Sequence, residues 1–488
     1  MVFLRFEKKT IGTRQAWSPQ PGNASVSRAT ATRGSSSTGL TRAIGLPRAT
    51  ALVVGTIIGA SIFVQPSEVT GRVPSLEGAL LVWLVAGILT FFGCVVTAEL
   101  AALKPESGGV YVFLRDSFSP LIGFLWGWAM FWTMHSGILA AIAVVFARYL
   151  GWFVPLDGTG QRLVAVAAIV ALSVVNVLGV RQGSALQTAF TVVKVGAVVV
   201  MVAVGLALAP GADAIGAGIA GGAATDVVGA PGTGVGLLGG GTLSDFLLAL
   251  VAGLFAFGGW HMVTYSAGET IDPRRTIPRS LLLGVSIVTA AYLALNYVYF
   301  QILPIETVIS SERIAADAAD ALLGAGGGAV MSALVAFSTF GGLAGIVLAG
   351  PRVYHAMARD GLLFRWVAAV HPRRRTPHRA IALQALWASV LVWTESYRIL
   401  FTRVVYTEWI FFGLMALGLL RLRSRARMRW AHPWVPLVFA GCAFAIVVNQ
   451  VVAEPGDSMI GLGLVLIGAP VYLIVSARRR TNRRGSNP

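Results

Sequence analysis

The sequence predicts an all-α membrane protein of twelve transmembrane helices: two inverted five-helix repeats with two further helices. Three observations predict it: apolar content cut into membrane-length segments, basic residues confined to alternate loops, and matched helix interruptions in the two halves. Of 488 residues, 56% are hydrophobic and 12% charged, with a mean hydropathy of +0.75. That is about half the charge of an ordinary soluble chain, so soluble multidomain classes are excluded. Polar gaps leave segments near the roughly 20 residues that cross a ~30 Å hydrocarbon core. They fall at 45–70, 78–103, 120–149, 162–179, 184–209, 243–270, 280–303, 325–356, 380–395, 401–420, 433–451 and 458–476.

The net charge of +17 invites a nucleic-acid reading, but its distribution argues against one. With a cytoplasmic N-terminus, 31 of the 38 Lys and Arg residues fall in inside segments, six lie outside, and Lys194 alone sits deep in an apolar segment. This asymmetry fits the positive-inside rule for twelve spans with both ends in the cytoplasm of a cell membrane. The partner implied is the lipid bilayer, not nucleic acid.

Residues 1–42 are rich in Ser, Thr and Arg and hold no apolar core of signal-peptide length, so a disordered cytoplasmic tail or an over-extended start is expected. The twelve-span domain covers 43–476, and 477–488 form a basic cytoplasmic tail. Within the domain, 210–241 is a Gly- and Ala-rich external linker, too poor in helix formers for a stable helix. It separates spans 1 to 5 from spans 6 to 10. Cys94 and Cys442 both fall inside spans, which suits small buried apolar residues and no disulfide framework or metal cluster.

The first span is interrupted at GTIIGASIF, Gly55 to Phe63, followed by Pro66; the sixth is interrupted at FAFGGWH, Phe255 to His261. Gly55 and Gly59 also read as a GxxxG packing motif, but Ser61 and Pro66 add a polar group and a missing amide donor nearby. Gly258 and Gly259 together cost a helix interior about 2 kcal/mol relative to alanine. Backbone freed at membrane depth is tolerated where it is buried in protein or lines a cavity. An odd number of spans per unit inverts the second unit, so paired breaks in spans 1 and 6 point to a carrier with its site between them. Broken helices offer amides to a carboxylate and carbonyls to an ammonium, the two charges of an amino acid.

GTIIGASIF with VQPSEVTG, AELAALKPESGGVYVFLRD from Ala98, LFAFGGWHMVTYSAGETIDPRRTIPRSL from Leu254, GPRVYHAMARDGLLF from Gly350, HPRRRTPHRA from His371 and WIFFGLMALGLLRLR from Trp409 occur in this order. Together they resemble the amino acid-polyamine-organocation superfamily, closest to its L-type amino acid transporter branch, over about residues 43–475. The resemblance implies a LeuT-type fold with substrate held between the unwound parts of spans 1 and 6. The matching positions are Ile58, Gly59, Ala60, Ser61 and Ile62, and Phe255, Ala256, Phe257, Gly258 and Gly259. It further implies that Phe255 closes over the substrate from outside. At the first break the family's GSG is here Gly59-Ala60-Ser61, which exchanges one flexible position for a hydroxyl and loosens any inference about cargo.

Lys194 is a functional candidate on depth alone, since a charge in mid-span is costly. The resemblance implies that its ammonium stands in for a sodium ion between spans 1, 5 and 8, making the carrier sodium-independent. Ser338 and Thr339 of span 8 are its candidate neighbours, or bond back to their own helix. His261 is a substrate contact or pH-sensitive group, or a packed histidine. Glu99 and Glu269, at the inner ends of spans 2 and 6, form a cytoplasmic gate with partners such as Arg274 or Arg359, or are simple interfacial carboxylates.

No HExxH, GxxxxGK or GxSxG motif occurs, so an enzyme has no residues to stand on, and no cofactor or metal is expected. The loop Gly151–Gln161 lacks cysteine, so the disulfide to a heavy-chain glycoprotein found in animal relatives cannot form there. A stand-alone carrier is expected, with spans 11 and 12 free to act as scaffold or homo-oligomer contact. The expectation is a sodium-independent amino acid permease in the cytoplasmic membrane, working by alternating access with proton coupling or exchange. No carboxylate lies within either break, which favours a neutral, apolar substrate. A cationic amino acid or polyamine carrier is the alternative, and a non-transporting amino acid sensor is a third reading.

Overall fold

The computed structural model describes residues 44–104, 109–178, 183–208, 240–359, 361–374, 376–423 and 432–484, and these are helical apart from turns, short connections and one isolated bridge between Ile44 and Thr270. The expected N-terminal tail and nearly all of the 210–241 linker lie outside them. In chain order the helices are α1 (Leu46–Ile57), α2 (Gln65–Thr70), α3 (Leu76–Leu103), α4 (Gly109–Ser117), α5 (Pro120–Leu150), α6 (Gly158–Leu178), α7 (Gly183–Leu208) and α8 (Leu243–Ala256). They continue as α9 (Pro273–Ile302), α10 (Ile305–Ser310), α11 (Ile314–Leu323), α12 (Gly327–Arg359), α13 (His378–Thr394), α14 (Tyr397–Arg423), α15 (Trp434–Ala453), α16 (Pro455–Leu466) and α17 (Gly468–Arg484).

Eight helical stretches among the described residues are long and apolar enough to cross a membrane, nine if the bent pair of α8 and the turn after it is one span. The chain is therefore a multi-pass membrane protein. The sequence expectation was twelve, and helix covers each of those segments. Beyond the bent pair, three of the expected spans fall short: α1 stops after 12 residues at the first break, α13 is 17 residues long, and the apolar stretch counted in α7 is Val192–Leu208.

Local chemistry explains the helix starts. Ser75 accepts from the amide of Gly78 at 3.1 Å, with Glu77 in the first turn of α3. Ser119 caps α5 just before Pro120, and Thr242 with Asp245 forms a reciprocal capping box on α8. Each device satisfies amides that would otherwise be orphaned at a helix end.

The core forms where the helices carrying the breaks meet their neighbours. α3 and α9 pack along each other, with α1 against α9 and α5 against α12. Glycines permit close approach at two of these contacts: a Cβ on Gly87 would stand 2.4 Å from Thr289 Cγ2, and one on Gly284 would stand 2.5 Å from Val53 Cγ1. Large apolar side chains that remain exposed, such as Val174, Val199, Leu437 and Val448, suit a lipid-facing surface.

Candidate functional site: a cavity between two broken helices

α1 makes its last helical bond from the amide of Ile58 to the carbonyl of Val54 at 2.9 Å. Helical pairing resumes as a single 3-10 turn over Ser61–Phe63, and α2 starts at Gln65. Between these, the amides of Gly59, Ala60, Ser61 and Ile62 donate to no backbone carbonyl. The second interruption follows α8. Gly259 has φ +90°, the backbone bends by 40°, and a ten-residue 3-10 stretch runs from Trp260 to Glu269. Runs of 3-10 helix beyond three or four residues are uncommon; here Thr264, Ser266 and Thr270 hydroxyls bond carbonyls of the preceding turn, at 2.7, 2.8 and 2.9 Å. A Cβ at Gly259 would stand 3.0 Å from the Thr56 carbonyl oxygen, so the two breaks touch backbone to backbone.

The carbonyls freed at the breaks are taken by side chains from other helices. Tyr292 of α9 directs its hydroxyl to Ile57 O and to Ala256 O, both at 3.1 Å. Lys194 of α7, 6% exposed, donates its ammonium to Gly55 O. At the other end of the first break, Tyr149 donates to Phe63 O at 2.7 Å.

A cavity of about 240 Å³ lies between the breaks. Gly59, Ala60 and Ser61 line one side and Phe255, Gly258 and Gly259 another; Lys194, Ser338 and Thr339 also reach it. Thr339 bonds back to Val335 O at 2.5 Å, the helix-internal alternative for a span hydroxyl. Ile58, Ile62, Ala256 and Phe257 do not line the cavity; their side chains are buried in the surrounding core. His261 is also outside it, packed against Trp126, Trp260, Tyr265 and Phe412 with ring centroids 5.2–5.9 Å away. Glu99 is buried in α3 and Glu269 is exposed as the last residue of the 3-10 stretch, and neither lines the cavity. The side chain of Arg359 lies outside the described residues.

Three helices contribute residues that sequence reasoning did not single out. α5 supplies His135, Ile138 and Ile142; α12 supplies Ile346; α14 supplies Val404, Val405 and Glu408. His135 directly follows a π-helical turn, Met130–Met134, whose carbonyls at Met130 and Trp132 accept from Tyr354 (3.3 Å) and Trp387 (2.9 Å). Glu408 did carry a signal, being an acidic residue in the interior of an apolar segment. Phe255 packs tilted against Phe401 at 5.6 Å, and Phe401 lies 5.4 Å from Tyr397, which sits under the Arg148 guanidinium. With the Arg398–Glu68 ion pair at 2.7 Å, this column runs from the cavity toward α2.

Chemically, the cavity presents the unpaired amides of Gly59, Ala60 and Ser61 and an aliphatic surface, with one carboxylate, Glu408, among its described lining residues. Residues 44–475 match the profile of the family described as amino acid permease. The chain is 30% identical over 470 residues to mouse "Large neutral amino acids transporter small subunit 2", covering 93% of this chain and 85% of that one. It is 29% identical to "Serine/threonine exchanger SteT" of Bacillus subtilis (strain 168), over 90% of this chain and 98% of that one. It is also 27% identical to mouse "b(0,+)-type amino acid transporter 1", over 89% and 88%. With a family match over most of its length and relatives that are transporters rather than enzymes, the chain belongs to the amino acid permease family of the amino acid-polyamine-organocation superfamily.

Proposed function

We propose that this chain is a secondary active amino acid permease that moves its substrate across the cytoplasmic membrane by alternating access. The observation that carries the reading is the cavity bounded by the unpaired amides of Gly59, Ala60 and Ser61 and by Phe255, Gly258 and Gly259 at the end of α8. Amides at the start of a helical segment favour a carboxylate, and carbonyls at the end of one favour an ammonium. A LeuT-type arrangement of twelve spans, with two inverted five-helix repeats and cytoplasmic termini, accounts for this site. In its support, spans 1 and 6, 2 and 7, 3 and 8, and 4 and 9 pack together in the described residues, each pair joining equivalent members of the two units.

In this reading Lys194 replaces a sodium ion. Its ammonium is held by Gly55 O beside Ser338 and Thr339, a place where a monovalent cation would meet a carbonyl and hydroxyls. Coupling is by proton symport or exchange. The column from Phe255 to Arg148 forms the external closure, and Glu99 with Glu269 belongs to the cytoplasmic side. The two cysteines lie within α3 and α15, which supports a carrier that works without a disulfide-linked heavy chain.

The aliphatic wall formed by Ile138, Ile142, Ile346, Val404 and Val405 favours a neutral, apolar substrate side chain. A second reading, a cationic one, is favoured by Glu408. The expected absence of acid holds for the breaks themselves, but a carboxylate reaches the same cavity from α14. Uptake of labelled amino acids into proteoliposomes, with and without a proton gradient and with internal amino acid, tests the permease reading. Saturable flux supports it; saturable binding with no flux under any condition would leave a sensor instead.

A further inference from the structure

Resting on the permease reading of this cavity, we propose that Glu408 receives the cationic end group of a substrate side chain, so that the carrier selects amino acids with an aliphatic stem ending in an ammonium or guanidinium. Glu408 lines the cavity and is 8% exposed. Among the described residues no hydrogen-bond donor and no cation contacts its carboxylate. The ion pairs Arg72–Glu454, Lys104–Asp116, Arg115–Asp116, Arg275–Asp272, Arg398–Glu68 and Arg403–Glu395 all lie elsewhere. A carboxylate buried without a partner is expensive, and inside a membrane such groups mark a substrate or ion path.

The surroundings specify what the missing partner looks like. Val404 and Val405 precede Glu408 by four and three residues on α14, so all three share one helix face and line the same cavity. With Ile138 and Ile142 from α5, they form an apolar strip of the cavity lining, in which Glu408 is the single acid among the described residues. A methylene chain fits the strip by burial, and a terminal cation would meet the carboxylate in an ion pair shielded from water. Lys194 also reaches the cavity, and its positive charge disfavours a second cation unless an acid offsets it. Its ammonium is committed to Gly55 O, which leaves the Glu408 carboxylate for the substrate. A polyamine shares the cationic chemistry but has no carboxylate for the amides of Gly59, Ala60 and Ser61.

Purified full-length protein in detergent, Glu408→Gln and Glu408→Asp are compared for equilibrium binding of labelled L-lysine, L-leucine and putrescine, and for flux of each in proteoliposomes. The expected result is that wild type binds L-lysine at least as well as L-leucine and better than putrescine. The lysine-to-leucine affinity ratio should fall at least tenfold in Glu408→Gln and recover in part in Glu408→Asp. An unchanged ratio in Glu408→Gln overturns the proposal, as does a wild type that binds L-leucine but not L-lysine. An unchanged ratio with loss of stimulation by a pH gradient would assign Glu408 to proton transfer and likewise overturn it. Because the ratio is read by binding, absence of flux for every amino acid sinks the permease reading without deciding the role of Glu408.

Discussion

The hydroxyl of Tyr292 lies 3.1 Å from the carbonyl oxygen of Ile57, the last residue of α1, and its single proton is shared with Ala256 O at the same distance. One side chain thus joins the ends of both broken helices. Its ring is fully buried, edge-on to Trp83 at 5.6 Å and to Phe257 at 5.1 Å. Tyr292→Phe keeps this packing and removes only the donor, leaving two buried carbonyls without it, at a cost of about 1–3 kcal/mol. The expected outcome is a lower apparent melting temperature together with weaker half-saturation for uptake, because the two helix ends lose their common anchor. A variant equal to wild type in both measurements would mean the hydroxyl bridges nothing of consequence.

Lys194 supports the same region from the opposite side, through Gly55 O. Lys194→Ala leaves that carbonyl without its ammonium and removes the fixed charge that, in the proposed reading, replaces a sodium ion. Uptake is expected to fall at least about tenfold, equivalent to roughly 1.4 kcal/mol, in a protein that still elutes as a single species. Wild-type uptake should be unchanged when external sodium is replaced by choline. Either a sodium requirement in wild type or full uptake by the folded variant would contradict the role given to this lysine.

How much of this was legible in the sequence follows from which signals are local. The two breaks were readable because glycine pairs, Pro66 and a polar Ser61 act on the backbone where they stand. Lys194 was readable because a charge in mid-span is anomalous wherever the helix packs. Which side chains face the cavity was not readable. Ile58, Ile62, Ala256 and Phe257 belong to the breaks, yet turn into the core, since the direction of a side chain on an unwound segment depends on dihedral angles that composition does not set. The contributions of α5, α12 and α14 depend on tertiary packing between segments far apart in the chain. Glu408 was visible as an oddity, but only the fold brings it to the breaks.

Asp116 lies at the end of α4, outside the spanning helices, between Lys104 Nζ at 3.0 Å and Arg115 Nε at 2.8 Å. Partial burial works to raise its pKa, but hydrogen bonds from Arg115 and Lys104 outweigh that and hold the carboxyl below its ordinary value. A carboxyl depressed in the folded state adds stability above its unfolded pKa of about 3.9, and that contribution is lost as pH falls through the folded value. Asp116→Asn should therefore melt at a lower temperature than wild type at pH 7, and the gap should close on acidification below pH ~4. A gap independent of pH would show that the ion pair is not its source.

Gly259 is the position where the two interruptions meet, and its substitution separates backbone strain from ordinary packing. Its φ of +90° belongs to the region that side-chain-bearing residues avoid, and a Cβ would stand 3.0 Å from Thr56 O. That neighbour is backbone, which cannot swing aside as a side chain can. Gly259→Ala therefore carries a conformational cost of about 1–2 kcal/mol and also pushes the first break away from the second. Gly258 is the control: its added Cβ would press at 3.0 Å only on Phe255 O in its own turn, and its φ is not positive. The expected order of loss is Gly259→Ala well beyond Gly258→Ala, seen both in melting temperature and in affinity for a transported amino acid. If Gly258→Ala were the more damaging of the two, contact between the breaks would not be what shapes the site.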